Sequence, residues 1–173
     1  SEDLSECLLV RSAPEDGLLV SACFDPDGDL WLVEKRGATS FFLIHLPAGA
    51  QAAAPDFPIP IKSETETVVI TAGRDGMIWY ADRSAATTLA GFDSVRRAWV
   101  PAKDEDRPAV CFSILMTRDG TVWCGGAGQV VRRSTDGKYT VYTGEQLGLP
   151  QLPFLLYEAS DGRLWLVGRT GGV

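Results

Sequence analysis

"DPDGDLW" occupies residues 25–31, and whether it is a metal loop or a hairpin turn decides the fold. Asp25, Asp27 and Asp29 alternate around Gly28, which looks like a calcium loop. A helix-loop-helix calcium site, however, needs its glycine later in the loop and a glutamate at loop position twelve, where Arg36 stands. The stretch also returns, as "GRDGMIW" at 73–79, "TRDGTVW" at 117–123 and "ASDGRLW" at 159–165. What all copies share is Asp-Gly, one variable residue, one aliphatic residue and Trp. These are Asp27, Gly28 and Trp31; Asp75, Gly76 and Trp79; Asp119, Gly120 and Trp123; and Asp161, Gly162 and Trp165. The tryptophans are 48, 44 and 42 residues apart. The extra Asp25 and Asp29 occur in the first copy only, so the shared element is a turn and not a ligand set.

The flanks repeat as well. Apolar runs precede each Asp-Gly ("LLVSACF", "TVVITAG", "AVCFSILM", "PFLLYEA") and follow it ("LWLVE", "IWYAD", "VWCGG", "LWLVG"). Asp-Gly between two such runs predicts a β-hairpin, because the turn needs residues that tolerate positive φ. Two further strand-like runs follow in each of the first three copies, among them "TSFFLIHL" and "FPIPIK", and "QVVRRS" and "KYTVYT". No segment shows a helical period. Four strands per repeat is the period of a propeller blade. The expected fold is therefore all-β: a β-propeller, or a four-blade portion of one, in four-stranded antiparallel blades of about 42–48 residues. Residues 1–173 form one domain with blades near 19–62, 67–101, 110–143 and 153–173, the last joined by the strand 7–12. A portion of a longer protein, a four-bladed monomer and a ring closed by oligomerisation all fit this phase. An open array would leave edge strands and an apolar blade face uncovered.

Composition narrows the function classes. Of 173 residues 45% are apolar and 23% charged, enough for an ordinary core, and the net charge is −7. That charge, with no basic tract, argues against nucleic acid as a partner. The longest apolar run, 109–116, is interrupted by Ser113 and is too short for membrane insertion within this segment. The acidic start "SEDLSECLLV" is not a signal peptide. Cys7, Cys23, Cys111 and Cys124 form no C-x-x-C pair and there is one histidine, so no metal and no cofactor is expected. Buried free thiols are favoured over a disulfide.

The text from 113 to 168, with its aliphatic strand, Asp-Gly-x-x-Trp, glycine-rich turn and Gly148-Leu149-Pro150, resembles the two-component regulator propeller family. That resemblance implies a periplasmic or extracellular sensor domain of a bacterial histidine kinase, with an oligosaccharide ligand in several members. Its partners would be other blades or chains of the same sensor. "VVITAGRDGMIWYAD" is similar to blades of the streptogramin B lyase family, whose activity uses histidine and glutamate. The lone histidine here, His45, lies outside the blade-start motif, so that chemistry does not carry across. No nucleophile elbow, histidine dyad or phosphate loop is visible, and no catalytic residue is expected.

The repeated tryptophans read as packing residues between blades. Trp99 breaks the register and is a separate candidate. Loops are the better place for a site. Lys35 and Arg36, Arg83, and Arg169 fall in matching loops after the second strand of three blades. Cations there would suit a small carbohydrate or other anionic ligand. The expected function is thus non-catalytic ligand sensing, against a lectin-like or protein-interaction scaffold and, third, a streptogramin-type lyase.

Overall fold

Fourteen strands are the regular elements of the computed structural model, which describes residues 17–38, 40–49, 59–61, 68–82, 89–100, 111–126, 128–148 and 153–168. The strand expected at 7–12 lies outside them. The first sheet contains β1 (Gly17–Phe24), β2 (Leu30–Arg36), β3 (Ser40–Leu46) and β4 (Ile59–Ile61), in that order. The second contains β5 (Val68–Ala72), β6 (Met77–Asp82), β7 (Ala90–Asp93) and β8 (Ala98–Val100). β9 (Cys111–Met116), β10 (Val122–Gly126), β11 (Gln129–Arg133) and β12 (Tyr139–Thr143) form the third, and β13 (Pro153–Glu158) pairs with β14 (Leu164–Gly168). Every pairing is antiparallel between chain neighbours, the meander of a propeller blade.

The Asp-Gly text makes the same turn four times. In the first, Gly28 N donates to Asp25 O and Asp25 N to Asp29 O. Gly28, Gly76, Gly120 and Gly162 all have φ between 76° and 87°, which glycine adopts without strain. Only the glycine is left-handed, so this is a three-residue loop with a bulge and not the two-residue turn. The preceding aspartate closes it: the backbone N–H groups of Met77, Thr121 and Arg163 donate to Oδ1 of Asp75, Asp119 and Asp161. In the first blade Asp25 takes over that role, accepting from the N–H groups of Asp27 and Asp29.

Because side chains alternate across a strand, each sheet presents two faces, and the blades stack through them. Trp31, Val33, Phe41, Leu43 and Ile61 of the first blade pack against Val68, Ile70, Ile78 and Phe92 of the second. Trp79, Ala81 and Leu89, on the opposite face of the second blade, pack against Cys111, Val122, Cys124 and Val131 of the third. Inner strands β1, β5, β9 and β13 lie side by side in that order. A hydroxyl clips each step: Ile70 N donates to Ser21 Oγ (3.2 Å), Met116 N to Thr71 Oγ1 (3.3 Å) and Leu156 N to Ser113 Oγ (3.2 Å).

Candidate functional site

All four Asp-Gly turns come from the same kind of strand pair, so they gather at one end of the blades. Between the turns of the second and third blades lies a cleft of about 430 Å³. Its walls are Arg74 and Asp75 from the β5–β6 turn, Arg118 and Asp119 from the β9–β10 turn, Thr135 from the β11–β12 turn, and Trp79, Met116 and Arg133 from the strands. Three guanidinium groups and two carboxylates therefore share one opening.

The carboxylates are already engaged in their own turns. Asp75 accepts from Met77 N at 3.1 Å. Asp119 accepts from the Thr117 hydroxyl at 2.6 Å and from Thr121 N at 3.0 Å, and these bonds hold its pKa below the usual carboxylate value. The arginines are less committed. Arg118 donates from Nη1 to the Ser160 carbonyl (2.8 Å) and lies near Glu158, which ties the third blade to the fourth. Arg133 lies over the Trp79 ring, 4.4 Å from its centroid. Arg74 is exposed and has no hydrogen-bond or ion-pair partner among the described residues.

Trp79 is 5% exposed, and its indole Nε1 is buried without a hydrogen-bond partner among the described residues. A buried, unmet N–H costs about 1–3 kcal/mol. The equivalent indole of Trp31 has a partner, Asp25 Oδ2, at 2.9 Å. Counting 48 residues on from Asp25 gives Gly73, which carries no carboxylate. Asp75 Oδ1 and the Met116 thioether together fill the space that a side chain at 73 would enter.

The first blade carries a second polar cluster. His45 Nε2 lies 2.7 Å from Asp29 Oδ2, and Ala48 N donates to Asp29 Oδ1 at 2.7 Å. A histidine–carboxylate pair therefore exists, contrary to the expectation of none; sixteen residues separate its members, and only the pairing of β2 with β3 joins them. The Ala48 N–H first, and then His45, hold the Asp29 carboxyl below its usual value. His45 stacks on Trp31, with ring centroids 4.3 Å apart. Of the aspartates in the opening stretch, Asp25 serves the turn and an indole and Asp29 a histidine; no group of three or more residues that could hold a metal occurs among the described residues.

The cations expected in loops lie elsewhere, and Lys35 and Arg36 belong to the end of β2 and not to the loop after it, because both pair with β1 and β3. Arg36 pairs with the buried Glu34 and stands over the Phe42 ring, while Lys35 stands over Phe41. Arg83 and Arg169 fall outside the described residues. Trp99, on β8, meets Phe92 and Tyr80 edge-on at 5.1 and 5.2 Å. Lys35, Arg36 and Trp99 are not brought to the cleft. The cleft arginines were missed although two are visible in the repeat text: "GRDG" and "TRDG" place Arg74 and Arg118 at one position, where the other copies have Pro26 and Ser160.

No family model matches the chain, and no curated protein matches it. Solved structures do. An inactive variant of virginiamycin B lyase from Staphylococcus aureus, with quinupristin, is 15% identical, with a TM-score of 0.68 over 89% of this chain and 50% of that one. A streptogramin B lyase is 16% identical, with a TM-score of 0.61 over 91% of this chain and 50% of that one. A protein of unknown function from Bacteroides caccae is 10% identical, with a TM-score of 0.69 over 93% of this chain and 60% of that one. The chain spans about half the length of these lyases. At such identities the likeness carries the propeller fold and nothing finer; it does not extend to the two-component regulator family. No helix among the described residues is long and apolar enough to cross a membrane.

Proposed function

We propose that this chain is a non-catalytic propeller module that binds a small anionic ligand in the cleft between the second and third blades. One observation carries the reading: Arg74, Arg118 and Arg133 converge on an opening of about 430 Å³ whose carboxylates are already bonded to their own turns. A cleft of that size suits a small molecule, and guanidinium groups select anions with fixed geometry. The resemblance of residues 113–168 to two-component regulator propellers supports a periplasmic or extracellular sensing role, with an acidic saccharide as the natural class of ligand. Binding would then shift the balance between sensor arrangements.

The test is a thermal-shift and calorimetric titration with trigalacturonate and, beside it, neutral maltotriose. Trigalacturonate raises the melting temperature and maltotriose does not. Arg74→Gln together with Arg133→Gln weakens trigalacturonate binding at least tenfold, as expected for two charge-assisted contacts. Equal stabilisation by both sugars, or none by either, removes the anionic reading.

A further inference from the structure

We propose that the ligand group recognised in this cleft is a carboxylate, which takes at Trp79 the place that the Asp25 side chain holds at Trp31. The inference rests on the cleft being a ligand site and adds the chemical class and its seat. The molecule contains its own filled copy of the site. In the first blade Asp25 Oδ2 accepts the Trp31 indole N–H at 2.9 Å, while Oδ1 accepts the N–H groups of Asp27 and Asp29. In the second blade the indole is equally buried, its N–H has no such partner among the described residues, and the residue that should supply the carboxylate is Gly73.

Three features of the second blade suit an incoming carboxylate. The Arg133 guanidinium lies over the same indole, 4.4 Å from its centroid, which places positive charge beside that ring. Arg74 and Arg118 stand on the cleft wall. Met116 and Asp75 Oδ1 share the space of the absent side chain; Met116 is unbranched and flexible and can swing aside without moving the backbone, and the Asp75 carboxylate stays bonded to its own turn through Met77 N. A carboxylate offers the planar pair of oxygens that Asp25 uses: one for the indole and one for a neighbouring donor.

The experiment follows the Trp79 indole N–H in proton–nitrogen spectra of the full chain during titration with acetate, glucuronate, glucuronate methyl ester and sulfate. The expected result is a saturable downfield movement of that resonance with acetate and glucuronate, none with the ester, and none at Trp31. Gly73→Asp should place the resonance downfield without ligand and abolish the response. Gly73→Ala, which brings no acceptor, should not place it there. Met116→Ala should tighten glucuronate binding severalfold. If sulfate or the ester moves the indole as far as glucuronate does, or if glucuronate perturbs the arginines and leaves the indole still, the carboxylate inference is overturned while the cleft survives. If no probe perturbs any cleft resonance, both readings fall.

Discussion

Trp31 and Trp165 stand at the same position of the same repeat, yet one is 3% exposed and the other 53%. Their hairpins are alike: Trp31 pairs with Cys23 and Trp165 with Tyr157. The difference lies in what comes after. Phe92 of the second blade leans on Trp31, and the third blade covers Trp79. Around Trp165, Leu155, Tyr157 and Val167 are exposed too, in a cross-strand ladder on one face. Trp31 and Trp79 are therefore residues of the interface as much as of their own blades: the hairpin presents each, and the following blade buries it. Trp123 is half-buried and stacks on Tyr142 of its own blade.

The largest test of that contrast is truncation at both ends. Trp31→Ala should destabilise the chain by about 3–5 kcal/mol in urea unfolding, the cost of emptying a large aromatic site in a core. Trp165→Ala should stay within about 0.5 kcal/mol, as for a surface change. Equal losses at the two positions would break the interface account. Next in size is Asp25→Ala, which leaves the Trp31 indole and two turn N–H groups without their acceptor; about 1–3 kcal/mol is expected, and more than for Asp75→Ala, whose side chain meets a single N–H.

A smaller effect should appear with acid. The Asp29 carboxyl is held below its unfolded value by Ala48 N–H and His45, so the folded state favours its charged form. Its contribution is complete above the ordinary carboxylate range and is lost as pH falls through the depressed folded value. Urea midpoints measured at pH 6 and pH 3 should drop less in Asp29→Asn than in the parent chain. The last prediction leaves stability untouched. Burial first, and then the Asp25 charge, push the Cys23 thiol up to about 12. At pH 8, alkylation followed by peptide mass analysis should find Cys23 on the order of a thousandfold slower than a free cysteine. Rapid labelling would mean that the face it shares with Trp31 opens readily.

Much of the fold was legible because its signals are local. Asp-Gly at residues 27–28, 75–76, 119–120 and 161–162 announces the hairpins, and the alternating runs beside them announce strands. The cleft was only half legible. Arg74 and Arg118 precede the Asp-Gly pairs, but a cation before a turn has no meaning until a neighbouring turn is placed against it. Arg133 carries no repeat signal at all; it reaches Trp79 because the third blade stacks on the second. Asp29 and His45 meet through strand pairing alone. Stacking geometry is the information that a one-dimensional pattern omits.

The hydroxyl clips at Ser21, Thr71 and Ser113 sit on the innermost strands, where the lever arm of each blade begins. With strands roughly 4.8 Å apart, the outer strand of a four-stranded sheet lies roughly 14 Å from the inner one. A tilt of about 5° at the clip would shift the rim by about 1.2 Å at that spacing. The Thr71 clip joins the two blades that bound the cleft, three residues before Arg74 and, at Met116, two before Arg118, so a single hydroxyl deep in the stack fastens the bases of the two arginine-bearing turns to each other while the rims stay free to fan.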